Sequence, residues 1–288
     1  MVNLFLMNIF LNSSIEYELV KNNISNLSKI KNQSHALCMT AVQINPKAIL
    51  YMQANYADVF EHAVLQCGNL LKDVKHQTEA VCLAAVKNEG LALKYVLQQS
   101  EVICLTAVQN NGFAIKYVKE QTESICMQAI ASHPLSIQYI QHAELKMWEY
   151  ALSRDGLALQ FLEKQTDQLI QLAIRNNANA IQYIEKPSEQ LCLEAVKRKP
   201  NAIQYIEKPS EAVCKLAIKK NPNLLRHIKN PNTEICLLAL YQNPFLIKYL
   251  ANQSFDLCQY AVSKDAEAIK FVRDLSFKQK IKDLLFTI

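Results

Sequence analysis

The chain has 288 residues, half of them hydrophobic and a fifth charged, with only four glycines and eight prolines. That much apolar material excludes a disordered chain, and so few turn residues exclude a many-turned β protein. A net charge of +5 is too mild to point by itself to nucleic acid, and no apolar run reaches the ~18 residues of a membrane span.

The chain opens on an apolar segment, Met1–Leu11 (MVNLFLMNIFL). It lacks the basic start and the small-residue cleavage site of a signal peptide, so residues 1–12 read as a packed N-terminal cap. A repeat begins immediately after it. The pair Ala85-Val86 recurs every 22 residues, from Leu19-Val20 through Ala41-Val42 and Ala217-Ile218 to Ala261-Val262, with no insertion or deletion. Self-similarity at a short fixed period is the signature of a solenoid or array.

Within each 22-residue unit the order of elements follows from local signals. A cap column reads Ser34, Thr78, Ser100, Thr122, Thr166, Ser188, Ser210, Asn232 and Ser254. These residue types accept a hydrogen bond from an orphan N–H at a helix start. An acid usually follows, as in Glu79, Glu101 and Glu211, which suits the positive end of the helix dipole. A hinge column of Pro46, Gly68, Gly90, Gly112, Pro134, Gly156, Pro200, Pro222 and Pro244 ends the first helix. Pro187, Pro209 and Pro231 share a second column, just before a cap. Between these joints the apolar spacing is helical. It predicts a first helix of roughly 10 residues and a second of roughly 7–8. Isolated helices this short are not stable, so each unit depends on its neighbours. The expected fold is an all-α, single-domain α-solenoid of about twelve helix-turn-helix repeats over residues 13–274, closed by a C-terminal cap at 275–288.

Eight of the nine cysteines (Cys38, Cys82, Cys104, Cys126, Cys192, Cys214, Cys236, Cys258) share one column with Phe60, Trp148 and Ile170. Cysteine alternating with apolar residues at one position is a small core hydrophobe. Equivalent positions ~8–10 Å apart are too distant for a disulfide or a shared zinc. Reduced, buried thiols point to the cytoplasm, whether of the producing cell or of a host cell. Cys67 sits at a joint, five residues after His62, but no third group orients such a pair for nucleophilic chemistry. The six histidines share no register, and no phosphate-binding glycine loop, dinucleotide fingerprint or nucleophile elbow occurs. These observations predict neither a catalytic residue nor a cofactor or metal.

Binding is carried by other columns. The second helix holds Leu50, Lys72, Lys94, Lys116, Gln138, Gln160, Gln182, Gln204, Arg226, Lys248 and Lys270 in one column, beside the aromatic residues Tyr51, Tyr95, Tyr117, Tyr139, Phe161, Tyr183, Tyr205, Tyr249 and Phe271. The plain reading makes the aromatic residues core and the Lys/Gln column solvated. The sharper one makes them a ladder that stacks and hydrogen-bonds a nucleic-acid strand. Asp73 and His227 break the aromatic column. From Lys186 to Lys229 ten basic residues face four acids, so this stretch exceeds the net charge of the whole chain. Its densest points, Lys197-Arg198-Lys199 and Lys219-Lys220, fall at equivalent helix ends in successive units. They complement helix C-termini, or form a patch for an acidic protein surface or a phosphate backbone. The partner-binding candidates are Lys94, Lys116, Lys197, Arg198, Lys199, Lys219, Lys220, Arg226, His227 and Lys248. The first partner class is a protein, the alternative nucleic acid; no membrane is expected.

The segments AVKNEGLALKYV (Ala85–Val96) and AVQNNGFAIKYV (Ala107–Val118) resemble a family of short two-helix repeats of unknown function, with the pattern A-V-K-x-N-G-x-A-L-x-Y, found in bacterial, protist and large-virus proteins. The likeness covers nearly the whole chain and is strongest over Thr78–Ile140 and Ser188–Leu250. It brings no catalytic residues. Its occurrence in secreted effectors and viral proteins implies a host-directed binder. Here the linkers are shorter than the family's, and proline often replaces the hinge glycine.

Overall fold

The computed structural model describes residues 15–286, so the cap expected at residues 1–12 lies outside the described residues. The described chain is an all-α repeat of the solenoid type: ten-residue α-helices alternate with six-residue 3₁₀ helices from Ile24–Lys29 to Ala266–Phe271, and the helix Leu275–Phe286 follows. Contacts divide the chain into two compact bodies, Met1–Ala151 and Leu152–Ile288.

The nine cap residues act as their types dictate. Each side chain accepts the N–H of the third helical residue, as Thr78 does from Val81 and Asn232 from Ile235. Each such bond contributes about 1 kcal/mol to its helix. The acids after the caps also reach the next repeat: Ser100 Oγ donates to Glu79 at 3.0 Å, and Asn232 Nδ2 donates to Glu211 at 3.0 Å.

Two features of the second helix depart from expectation. It is a 3₁₀ helix of six residues, not an α-helix of seven or eight. The joint that precedes it is a single extended residue, which ends the α-helix and caps the 3₁₀ helix at once. Asn45, Asn111, Asp155, Asn177, Asn221, Asn243 and Asp265 do this by accepting the N–H two residues on. With both ends held in extended backbone, six residues close more i→i+3 bonds than i→i+4 bonds, which selects the tighter helix.

The repeats draw their core from the same columns, with a few members such as Ile140 and Leu191 only half-buried. In the repeat beginning at Thr78 those columns hold Val81, Cys82, Ala85 and Val86, then Ala92, Leu93 and Val96. Ala85, Ala107, Ala129, Ala173, Ala195 and Ala217 are fully buried. Alanine at this column lets neighbouring helices approach closely.

Two sets of side-chain bonds tie successive repeats. A glutamine before the cap spans two 3₁₀ helix ends: Gln77 Nε2 donates to the carbonyls of Leu71 and Tyr95, and Gln77 Oε1 accepts the Leu97 N–H. Gln33, Gln121 and Gln253 repeat the full pattern, and Gln99 and Gln165 repeat its longer arm. At the opposite end of the 3₁₀ helix, the N–H of Gly90 donates to Asn110 Oδ1 of the next repeat at 2.8 Å, while Asn110 Nδ2 donates back to the Lys87 carbonyl. Gly68 with Asn88 and Gly156 with Asn176 do the same.

Candidate functional site

The ten candidate residues fall into two groups on different parts of the repeat. Lys94, Lys116, Arg226, His227 and Lys248 stand at the C-terminal ends of 3₁₀ helices. Lys197, Arg198, Lys199, Lys219 and Lys220 stand at the joint, where the α-helix ends.

The first group lies beside the aromatic column, which is not core. Tyr139, Tyr205 and Tyr249 are exposed, the last by 41%, and Tyr95, Tyr117, Tyr183 and Phe271 are half-buried. The core of the 3₁₀ helix is instead its third and fourth residues, such as Ala92 and Leu93. The ring stands at the last position of the six-residue helix, two residues past that core pair, at the edge of the repeat.

In the N-terminal body, Lys94 Nζ lies 4.6 Å from the Tyr95 ring centre. Lys116 Nζ lies 4.9 Å from Tyr117 and 5.7 Å from Tyr139 in the next repeat. In the C-terminal body, Lys248 Nζ lies 5.0 Å from Tyr249 and 5.5 Å from Phe271. A cation held over a ring at an exposed site contributes ~0.5–1 kcal/mol. These contacts hold three lysines over rings, two in successive repeats of the N-terminal body and one in the C-terminal body.

The two breaks in the column differ. Asp73 is exposed at the end of its 3₁₀ helix. His227 is half-buried, and its Nε2 accepts a hydrogen bond from Arg226 Nε at 3.0 Å, which leaves the proton of a neutral ring on Nδ1.

In the second group, Lys197, Arg198, Lys199, Lys219 and Lys220 are all exposed. Arg198 pairs with Glu194 at 3.2 Å and also reaches the Arg175 carbonyl of the preceding helix. Among the described residues no carboxylate lies within ion-pair distance of the four lysines. Lys215, on the same helix as Lys219 and Lys220, bridges Glu211 and Glu234 near the opposite helix end, and both carboxylates raise it above the usual lysine range.

The eight column cysteines are buried and free. Burial raises their thiols above the ordinary value of 9.0, to about 11 for Cys38. Neutral thiols in such sites are poor nucleophiles at physiological pH. Phe60 is nearly as buried as they are, but Trp148 and Ile170 are only half-buried. Cys67 is a half-buried joint residue, and no hydrogen bond joins it to His62 among the described residues.

Sequence reasoning missed the two columns that do most of the polar work. The glutamines at 33, 77, 99, 121, 165 and 253 and the Asn/Asp joint residues both recur at multiples of 22. That recurrence was the available signal.

Among the described residues no helix is long and apolar enough to cross a membrane. Fold and surface together define an all-α two-helix repeat protein with a column of partly exposed aromatic residues. Comparisons with family models, with curated proteins and with solved structures found no significant match.

Proposed function

We propose that this chain is a non-enzymatic protein-binding scaffold. The observation that carries the reading is that the aromatic column is half-buried to exposed rather than core, with Lys94, Lys116 and Lys248 held over its rings. Tyrosine offers large, rigid contact area at low entropic cost, and aromatic residues are enriched at protein interfaces. A ring buried in the core could not do this. The uniform repeat gives many equivalent contact points rather than one converging centre. Reduced, buried thiols support a cytoplasmic site of action, in the producing cell or in a host cell. The resemblance to effector and viral repeats supports a host-directed partner that is blocked or recruited.

The same stripe supports a second reading, nucleic-acid binding, because rings and cations at regular spacing also suit stacked bases and phosphates. Affinity capture separates the two. The scaffold reading expects a protein retained by the full chain and lost from the variant carrying Tyr95→Ser, Tyr117→Ser, Lys94→Glu and Lys116→Glu. Nuclease treatment should leave that protein bound. Loss of all bound material on nuclease treatment would transfer the function to the second reading.

A further inference from the structure

The C-terminal body carries a second surface, distinct from the aromatic stripe. The α-helices Asp167–Asn176, Glu189–Arg198 and Glu211–Lys220 pack side by side. Their last turns and joints present Arg175, Lys197, Lys199, Lys219 and Lys220, all exposed, with Arg198 among them. Glu194 is the one acid in ion-pair contact with this edge among the described residues, and it pairs with Arg198.

Helix C-termini explain part of this charge. Each presents about half a negative charge, about 1.5 for three helices. Five cations without a carboxylate partner exceed that. The repeat also shows why lysine is tolerated here. Position 220 is equivalent to Asn88, Asn110 and Asn176, whose side chains accept the N–H of the hinge glycine in the preceding repeat. The corresponding hinge residue for position 220 is Pro200, which has no N–H to satisfy. Lys220 is therefore released from that structural duty.

We propose that this edge docks a short acidic peptide segment of the partner; the proposal rests on the protein-binding reading but uses a different surface. Three helices packed ~8–10 Å apart span roughly 16–20 Å. An extended chain rising ~3.3 Å per residue covers that with five or six residues. Two observations favour a peptide over nucleic acid. None of the three helices contains an aromatic residue on which a base could stack. The strip also ends within three repeats, and the charge outside Lys186–Lys229 is close to balanced, so a long phosphate backbone would run onto surface without net positive charge.

The test uses the full chain and fluorescence anisotropy. The probes are a labelled oligoglutamate of about eight residues, slightly longer than the strip, and an oligothymidylate of matched charge. The expected result is saturable, salt-sensitive binding of the oligoglutamate, tighter than that of the oligothymidylate. The variant Lys197→Glu, Lys199→Glu, Lys219→Glu, Lys220→Glu should lose at least about tenfold in affinity. The equally charged control Lys31→Glu, Lys47→Glu, Lys75→Glu, Lys87→Glu should stay within about twofold. A parallel set of Lys→Gln changes replaces the first variant if its melting curve shows misfolding. Absence of saturable oligoglutamate binding, equal loss in the control, or tighter oligothymidylate binding each overturns the proposal. The capture experiment on the aromatic stripe reads the scaffold function separately, so either can fail alone.

Discussion

The repeats from Gly68 to Gln121 and those from Pro187 to Pro244 use the same core and cap columns but meet their polar obligations in opposite ways. In the first region a buried hinge glycine donates its N–H to the next repeat: Gly68 and Gly90 use Asn88 and Asn110, while Gly112 uses His133 Nδ1 at 3.0 Å. Glutamines at 77, 99 and 121 bond the 3₁₀ helix ends. In the second region prolines occupy both positions, Pro187, Pro209 and Pro231 for glutamine and Pro200, Pro222 and Pro244 for glycine. A buried N–H must find an acceptor or be removed. At the hinge, one region supplies the acceptor, and the other deletes the donor. The second solution frees the side chain at position 220, which is a lysine within the basic edge.

The sharpest way to break this contrast is at the hinge glycines. None has a positive φ, so they are not there for left-handed backbone. A Cβ on Gly112 would sit 2.4 Å from the Ala129 carbonyl oxygen, and on Gly156 2.2 Å from that of Ala173. Gly112→Ala or Gly156→Ala should therefore cost up to about 3 kcal/mol in urea unfolding. Ala178, which already carries a Cβ at this column, should lose only ~0.5–1 kcal/mol on change to glycine. Equal, small effects at all three positions would remove close approach as the reason for glycine.

Next in size is the glutamine. Gln77→Ala leaves the Leu71 and Tyr95 carbonyls and the Leu97 N–H without their partner and should cost about 1–2 kcal/mol. Pro209→Gln, which reinstates the glutamine where proline stands, should stay within ~0.5 kcal/mol. A large loss at Pro209 would show that the two solutions are not interchangeable.

Smaller still are the cysteines, which both regions share. Cys104→Ala and Cys214→Ala should each cost about 1 kcal/mol as small cavities. A thiol reagent should modify Cys67 first and the column thiols only on unfolding. Rapid labelling of Cys104 in the folded protein would contradict its burial.

The least difference between regions is expected in alkali. Burial holds the column thiols above 9.0 in the folded state, so the folded chain keeps protons that the unfolded chain releases. Their contribution to stability is intact below about pH 9 and declines as the pH rises toward the folded value, about 11 for Cys38. Cys38→Ala should make the decline of the urea midpoint shallower, and no change of slope would argue against the shift.

Much of this architecture was legible because a 22-residue period repeats each local signal many times. Ser34, Thr78 and their equivalents cap as their types predict, because an N-cap bond is made within three residues. The cysteine column was legible because Phe60 and Ile170 share it. The second helix was misjudged in type because its joint residue, such as Asn111, serves both helices, which leaves six residues between extended ends. The exposure of Tyr205 and Tyr249 was hidden because an aromatic column in helical phase reads as core even where it falls at the exposed end of the helix. The glutamine and asparagine ties were hidden for another reason. Their partners in the adjoining repeat lie 18 to 23 residues away, and a column shows which residue types recur without showing which offset they bond.

The joint of one residue has a consequence for how such a chain can change length. With no slack between helices, a single inserted or deleted residue would put the caps, hinges and glutamines on its two sides out of phase with one another. Loss or gain of one whole period does not. Residues 180–189 and 202–211 are the same ten letters, AIQYIEKPSE, so excising 180–201 rejoins the chain at an identical sequence. The molecule can therefore grow or shrink only in whole steps of 22, and the two matching decapeptides look like the mark of one such step.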